Sequence, residues 1–131
     1  MNKQKICAVA LNDGKLLVAR NEGKNIFIMP GGGLEDGETH EQCLVRELRE
    51  GLDVKLKGFK FFGKFVAPAM FERGKITAHV YFADIDGEPK PSSEVVECLW
   101  IDKNYKEKNI ICGSVLEKHV IPKLIDMELI K

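Results

Sequence analysis

The sequence lacks a long run of apolar residues, and this excludes a membrane-spanning helix. No stretch of its 131 residues approaches the roughly 20 apolar residues that a helix needs to cross a bilayer. The first residues, MNKQKICAVALNDGK, also lack the long apolar core of a secretory signal. We therefore expect a cytoplasmic protein that has no membrane partner.

The sequence also lacks an excess of charge of either sign. Twenty basic residues balance twenty acidic ones, so no large one-sided field exists to attract a nucleic acid polymer or an anionic surface. A negatively charged ligand must then be held by local groups. The apolar fraction of 44% is ample for a packed core, and the length predicts a single domain over residues 1–131.

No CxxC pair is present, and the four cysteines are far apart in the sequence. This spacing argues against a cysteine metal site or a disulfide framework and favours reduced, mostly buried thiols. The three histidines, His40, His79 and His119, are isolated from one another in the sequence. A shared histidine metal site is therefore not expected.

The first part of the chain predicts three strands. Residues 6–11, ICAVAL, are continuously apolar, and Asn12-Asp13-Gly14 is a typical tight turn into residues 15–20. This pattern predicts a hairpin of two strands. Residues 26–29 predict a further short strand that ends at Pro30 and the three glycines after it.

Two helices and a β-rich half follow. Apolar residues at helical spacing predict a helix that begins after Thr39 as N-cap and stops at Gly51. Residues 54–66 predict one long or bent strand, residues 75–85 its antiparallel partner, and residues 95–101 a final strand. Residues 114–127 predict an amphipathic helix, kinked at Pro122, whose inner face carries Val115, Leu116, Val120, Ile121, Leu124 and Ile125. The expected architecture is a mixed sheet packed between two helices.

Chemistry is concentrated in residues 30–52, PGGGLEDGETHEQCLVRELREGL. The glycines allow the backbone to come close to a ligand, and Glu47 and Glu50 are three residues apart and so share one helix face. Such oxygen donors suit Mg²⁺ or Mn²⁺. Two glutamates at this spacing are more often a solvated face, and the glycines fit neither a dinucleotide fingerprint nor a Walker A loop. The argument therefore depends on the combined pattern.

The combined pattern resembles the signature of the Nudix family, G-x5-E-x7-R-E-U-x-E-E-x-G-U, in which U is an aliphatic residue. Gly32 begins the match, Glu38 follows after five residues, and residues 46–48 (REL) follow after seven more, with Glu50 in place. The flanking sequence is similar to the family too. A predicted strand followed by PGG precedes the signature, and a strand that ends in residues 99–102 (LWID) precedes the last helix. The resemblance implies an α/β/α sandwich and hydrolysis of a diphosphate linkage in a nucleotide, with Mg²⁺ or Mn²⁺ as cofactor.

The chain departs from this signature after Glu50, where the family has a second glutamate. Without a gap, Gly51 occupies that glutamate position and Asp53 the glycine position. With a deletion of two residues, Gly51 and Leu52 form the final G-U pair. We favour the deletion, because it restores the end of the signature. Either alignment removes one expected metal ligand.

By resemblance, Glu47 and Glu50 are expected to hold the cation, together with the backbone carbonyl of Gly31. Glu38 and Arg46 are expected to tie the loop to the helix, a structural role in which the arginine fork orients a carboxylate.

The general base has to come from elsewhere in the chain. Glu94 is the first candidate, because residues 87–94 (GEPKPSSE) resemble a loop that supplies a distant carboxylate in MutT-type members of the family. Glu97 is the second, and a solvated glutamate at a strand edge is an equally good description of either. The expected substrate contacts are the backbone at Gly32 and the side chain of Arg20, which ends the second strand, where the family often presents a basic residue to phosphate. An ordinary exposed arginine is the alternative description of Arg20.

Substrate identity is less constrained by the sequence. We rank a nucleoside triphosphate first. An ADP-ribose-like compound is ranked second; it is considered because Pro68 lies about where ADP-ribose-cleaving relatives carry a proline. Aromatic residues in a β-rich core usually have a packing role. The side chains that could instead stack on a nucleobase are Phe65, Met70, Phe71 and Tyr81. A nucleotide-binding or sensor module that has lost catalysis is the alternative function, and a homodimer is left open.

Overall fold

The computed structural model describes residues 2–69 and 72–131. It contains seven strands, β1 (Asn2–Val9), β2 (Leu11–Asn12), β3 (Lys15–Asn21), β4 (Gly31–Gly33), β5 (Lys55–Pro68), β6 (Lys75–Asp86) and β7 (Val95–Ile101). The helical elements are α1 (His40–Leu52), a 3₁₀ turn (Tyr105–Lys108), a π-helical segment (Leu116–Val120) and α2 (Ile121–Asp126). In this described part, no helix is long and apolar enough to cross a membrane.

The strands form two sheets. A four-stranded sheet has the order β4-β1-β6-β5, and a three-stranded sheet has the order β2-β3-β7. The first sheet is mixed, because β1 runs parallel to β6 and antiparallel to β4. The predicted antiparallel pairing of β5 with β6 is confirmed, and β5 is bent by register shifts near Gly58 and Gly63.

The predicted hairpin is correct at its turn but wrong for most of its first strand. Asp13 and Gly14 adopt φ values of 52° and 76°, which a type I′ turn requires. However, the paired first strand consists of Leu11 and Asn12, with one further hydrogen bond from the N–H of Leu17 to the carbonyl of Ala10, because β1 belongs to the other sheet. Residues 6–9 of β1 are apolar and buried on both faces, because this half of the central strand lies between two layers.

The two helical layers pack on opposite sides of the sheets. Helix α1 contributes Leu44, Leu48 and Leu52 to one buried cluster, which also contains Ile6 and Ala8 of β1. The C-terminal helical segment contributes to a second cluster, which contains Cys7 and Val9 from the other face of β1. This arrangement confirms the expected α/β/α sandwich. The four cysteines are free, as expected, and three of them are buried.

Helix α1 begins as predicted and ends later than predicted. Thr39 and Gln42 form a reciprocal capping box at its start. At the other end, Gly51 does not stop the helix, which continues through Leu52 to a C-cap at Asp53 in the left-handed conformation (φ 54°, ψ 42°). Asp53 therefore occupies the place where a left-handed glycine commonly ends a helix. The prediction that Gly51 ends the helix is therefore wrong, and the left-handed Asp53 favours the alignment without a gap.

The C-terminal helix also differs in detail from its prediction. It passes through a π-helical segment, in which the N–H of Ile121 donates to the carbonyl of Leu116. This wider turn accommodates Pro122, which has no N–H to donate. Leu116, Val120, Ile121 and Leu124 are buried as expected, whereas Ile125 is exposed, because the helix ends at Asp126 and Ile130 fills the core instead.

The predicted strand over residues 26–29 is present only as two isolated bridges. Ile28 pairs with Ala19, and Phe27 pairs with Cys112. The segment is therefore extended between β3 and the chain before the C-terminal helix, and it leads directly to the glycines of β4.

Candidate active site

Strand β4 brings three consecutive glycines to the edge of the four-stranded sheet. The N–H of Ala8 donates to the carbonyl of Pro30 at 2.8 Å, and Cys7 is paired with Gly31. Because hydrogen-bonded and non-hydrogen-bonded pairs alternate in an antiparallel ladder, the carbonyl of Gly31 points away from β1. A side chain at residue 31 would also collide with the backbone of Ile6. Gly31 thus presents a carbonyl oxygen at the sheet edge, as the predicted metal ligand requires.

Arg46 joins helix α1 to the glycine-rich loop. Its Nε donates to Glu38 Oε2 at 2.6 Å and its Nη2 donates to Glu38 Oε1 at 2.9 Å, which is a bidentate pair. The same Nη2 donates to the carbonyl of Gly33 at 3.1 Å. The hydrogen bonds from Arg46 lower the pKa of Glu38 to about 2, so this carboxylate is ionised at neutral pH. These contacts are those of the anchoring pair that the sequence predicted.

The carboxylate of Glu47 lies against the backbone of Gly32. A Cβ atom at residue 32 would be 2.5 Å from Glu47 Cδ, so a larger residue would displace the carboxylate. Burial raises the pKa of Glu47, the Arg46 guanidinium opposes that effect, and the charges of Glu50 and Glu94 raise the pKa further. Two neighbouring carboxylates therefore act on Glu47, and a cation bound here would stabilise its ionised form.

Two adjoining cavities open beside these carboxylates, and we refer to them together as the cleft. The larger has a volume of about 320 Å³ and is lined by Glu47, Glu94 and all three glycines of β4. The smaller is also lined by Glu47 and Glu94, together with Glu50 and Gly51. The fold therefore places the three predicted catalytic glutamates along the lining of one cleft.

Glu94 reaches the cleft because its loop is fastened to the end of helix α1. The N–H of Ser92 donates to the carbonyl of Gly51 at 3.0 Å, and the N–H of Lys90 donates to the carbonyl of Leu52 at 2.8 Å. These bonds satisfy carbonyls that the last turn of a helix leaves without partners. They also fix the start of β7 relative to the metal-binding candidates on the helix.

Glu97 and Arg20 lie elsewhere and are paired with each other. Arg20 Nε donates to Glu97 Oε1 at 3.0 Å, and Arg20 Nη1 donates to the carbonyl of Lys24 at 2.9 Å. Neither residue is among the described residues that line the cleft. The structure thus separates the two candidate bases and places Glu94 alone with the carboxylates of α1.

The donor set of the cleft suits a hard divalent cation. Glu47 and Glu50 flank Arg46 Nη1 at 2.8 Å and 3.6 Å, so their oxygens already surround a positive group. Within residues 2–69 and 72–131, no three carboxylate, imidazole or thiol groups converge around a single point. Carboxylate and carbonyl oxygens in small number fit Mg²⁺, which usually keeps several waters and shares its shell with substrate phosphates.

Several residues that line the larger cavity were not singled out from the sequence. Lys5, Asn21 and Ser114 come from β1, the end of β3 and the start of the C-terminal helix. The only available signal was the strand alternation, which places Lys5 on the same face of β1 as Cys7. Nothing in the sequence pattern distinguishes Asn21 or Ser114 from ordinary surface residues.

The expectation that the histidines are isolated is wrong for two of them. The ring centroids of His40 and His79 are 4.6 Å apart, because β6 passes the first turn of α1. His40 Nδ1 also lies 2.6 Å from the Tyr81 hydroxyl. The pair is not among the described residues that line the cleft.

Two of the residues considered for base stacking, Phe65 and Tyr81, are described by the structure, and neither lines the cleft. Phe65 stacks on His119 with centroids 5.2 Å apart, and Tyr81 packs edge-on against Phe61. Met70 and Phe71 lie outside the described residues. Phe65 and Tyr81 therefore have packing roles.

Comparison with known proteins gives consistent results. A sequence model described as the NUDIX domain matches residues 1–105. The chain is 36% identical over 98 residues to an ADP-ribose pyrophosphatase of Methanocaldococcus jannaschii, covering 70% of this chain and 57% of that protein. It is 32% identical over 101 residues to the NAD-capped RNA hydrolase NudC of Vibrio atlanticus, covering 74% of this chain and 36% of that protein. The chain thus spans about half or less of the length of these relatives.

Solved structures show the same fold at lower identity. A MutT structure from a study of Aliivibrio salmonicida and Vibrio cholerae aligns with a TM-score of 0.74 and 20% identity, covering 97% of this chain and 99% of that one. A bifunctional NMN adenylyltransferase/ADP-ribose pyrophosphatase from Francisella tularensis aligns with a TM-score of 0.73 and 21% identity, covering 98% of this chain and 42% of that one.

Proposed function

This chain belongs to the Nudix family, and from that membership we propose that it hydrolyses the diphosphate linkage of a nucleoside diphosphate joined to a second group. The observation that carries the proposal is the cleft itself. Glu47 and Glu94 line both of its cavities, Glu50 lines one, and the open backbone of β4 runs between them. Such a concave site with a cluster of interacting carboxylates is the expected place for metal-assisted hydrolysis.

Glu47, Glu50 and the carbonyl of Gly31 are the residues that would hold Mg²⁺ or Mn²⁺. When bound, the cation would neutralise phosphate charge and polarise the phosphorus–oxygen bonds. Arg46 fixes α1 relative to the loop through its hydrogen bonds to Glu38 and Gly33. The carboxylates on α1 are therefore in position before the substrate reacts, and little conformational entropy is lost in orienting them.

Glu94 is the proposed general base. It accepts a proton from a water molecule whose oxygen attacks one phosphorus atom of the diphosphate. A new P–O bond forms, the bond from that phosphorus to the bridging oxygen breaks, and the bridging oxygen leaves with the other phosphate. For ADP-ribose, the products are AMP and ribose 5-phosphate. Glu94 is suited to this role because it lines the cleft and acts electrostatically on Glu47.

Two observations favour an ADP-ribose-like substrate over the nucleoside triphosphate that the sequence analysis ranked first. Pro68, which suggested ADP-ribose from the sequence, lines the larger cavity. The relative that is 36% identical is named an ADP-ribose pyrophosphatase. A cavity of about 320 Å³ is also within the usual size of a small-molecule site.

A panel of possible substrates tests the proposal. ADP-ribose, the nucleoside triphosphates and dinucleoside polyphosphates would each be incubated with Mg²⁺ or Mn²⁺, and released phosphate or nucleoside monophosphate would be measured. We expect metal-dependent turnover of ADP-ribose above the other compounds. Binding of these compounds without turnover would contradict the proposal and favour the alternative of a nucleotide-binding or sensor module.

Matched variants connect any turnover to the cleft. Glu47→Gln and Glu50→Gln are each expected to lower kcat by about 100-fold or more, a typical loss for a group that acts on the transition state. Glu41→Gln is the control, because Glu41 is an exposed residue in the first turn of the same helix. Near wild-type turnover by both of the first two variants, with unchanged melting, would place the active site elsewhere.

A further inference from the structure

The larger cavity contains a single positively charged side chain among its described residues. Lys5 lines it together with three acidic residues, Glu47, Glu72 and Glu94. A site that must bind two or more phosphates is expected to provide at least one cation from the protein. The position of Lys5 is therefore of interest for substrate binding.

Lys5 is held by the strand pairing on both sides of β1. Its neighbours across the sheet are Gly33 on β4 and Ala78 on β6, and neither has a large side chain that could cover it. Lys5 and Cys7 share one face of β1, and both line the cavity. The charges of Lys5 and Glu47 both act on the Cys7 thiol, so Lys5 is near the carboxylates of the proposed active site.

Of the three acidic residues that line the cavity with Lys5, Glu72 already has another partner. Lys3 Nζ lies 2.6 Å from Glu72 Oε2, and Lys3 supplies the main interaction that lowers the pKa of Glu72. Lys5 has no ion pair within the described part of the chain, although it is partly buried. The charge of Lys5 also acts on Glu72, but a partly buried ammonium group that forms no close ion pair is still expected to favour binding of an anion.

Arg20, which the sequence suggested as a phosphate contact, and Arg46, beside the cleft, both have other partners. Arg20 is engaged by Glu97 and the carbonyl of Lys24, and Arg46 is engaged by Glu38, Glu47 and Gly33. Neither arginine is among the described residues that line the cleft. Lys5 is thus the one cation among the described residues that line the cleft.

We propose that Lys5 binds a phosphate of the substrate's diphosphate group. This inference rests on the proposed function, in that it assigns a residue to the same cleft. A lysine suits the task because its ammonium is a compact charge with three donors that adapts to a phosphate in more than one orientation. Arg20, which the sequence suggested for this contact, is replaced by Lys5 from the opposite sheet.

The test measures equilibrium binding, so that it does not depend on turnover. The probe is α,β-methylene-ADP in the presence of Mg²⁺, because its bridging carbon cannot be hydrolysed. Lys5→Met is expected to weaken binding about tenfold or more, as removal of a charge-assisted hydrogen bond does. Lys5→Arg should restore most of the affinity. Lys55→Met is the matched control, because Lys55 is an exposed strand lysine outside the described lining of the cleft.

A kinetic measurement complements the binding experiment. With any substrate that is hydrolysed, Lys5→Met should raise KM by about tenfold or more while kcat changes less. Unchanged affinity for the probe in Lys5→Met would overturn the assignment, and so would failure of the wild-type chain to bind the probe. Lys5-dependent binding without turnover would overturn the proposed hydrolysis while leaving the role of Lys5 in place.

Discussion

The carboxylate of Glu47 occupies the space that a side chain at Gly32 would need. A Cβ atom at residue 32 would be 2.5 Å from both Cδ and Oε1 of Glu47, whereas a Cβ atom at Gly33 would meet no heavy atom within 4 Å. Helix α1 and strand β4 therefore approach each other closely at one glycine and not at the next. A side chain at residue 32 would therefore have to displace the Glu47 carboxylate.

Gly32→Ala should displace the Glu47 carboxylate and lower kcat by about tenfold to 100-fold, because small shifts of a catalytic group have large kinetic effects. Gly33→Ala is the matched control and should retain activity. Steady-state kinetics on the best substrate of the panel, with melting curves for both variants, makes the comparison. Equal activity of the two variants would show that the position of Glu47 is not critical.

Glu94→Gln should lower turnover, whereas Glu97→Gln should not. If Glu94 is the general base, Glu94→Gln should lower kcat by about 100-fold or more and leave melting unchanged. Glu97→Gln breaks the ion pair with Arg20, a partly exposed contact of about 1 kcal/mol at most, and should retain turnover. A loss of kcat in Glu97→Gln and not in Glu94→Gln would reverse the assignment.

Gly51→Glu should rebuild the carboxylate that the signature has at this position. Gly51 lies inside helix α1, and a Cβ there would be 3.2 Å from Val95 Cγ2, so a small adjustment of one side chain suffices. We expect half-maximal activity at a lower Mg²⁺ concentration, because another carboxylate lines the smaller cavity.

Gly51→Ala separates the charge from the backbone effect. Replacing a helical glycine should stabilise the fold by up to about 1 kcal/mol without changing the Mg²⁺ dependence. If Gly51→Glu and Gly51→Ala need the same Mg²⁺ concentration as the parent chain, the missing glutamate does not limit metal binding.

The Arg46–Glu38 pair should contribute stability that depends on pH. The pKa of Glu38 is lowered from its ordinary value of 4.5 to about 2, so the contribution is fully present above pH 4.5 and is lost as the pH falls towards 2. Glu38→Gln should therefore reduce the melting temperature at pH 7, and the difference from wild type should narrow as the pH is lowered through this window. A difference that does not change with pH would contradict the assigned ion pair.

Much of the site could be read from the sequence because its central part is local. Residues 32–50 lie on one loop and one helix, so the spacing of Glu38, Arg46, Glu47 and Glu50 along the chain already determines which side chains can meet. The end of this segment was misread, since glycine is both a common helix stop and a tolerated helix residue. The sequence pattern did not distinguish these two uses. The left-handed conformation of Asp53 shows that the helix ends there and that Gly51 lies within it.

Long-range contacts decided the rest. The sequence could not separate Glu94 from Glu97, because both are exposed-type residues at the start of one strand; hydrogen bonds from the preceding loop to Gly51 and Leu52 place Glu94 in the cleft. Arg20 is withdrawn by a cross-strand partner distant in the sequence. Lys5 becomes a cleft residue only because β1 leaves the predicted hairpin and pairs with β4 and β6. Spacing within a helix is fixed by its geometry, whereas pairing between distant strands depends on how the whole chain buries its apolar faces.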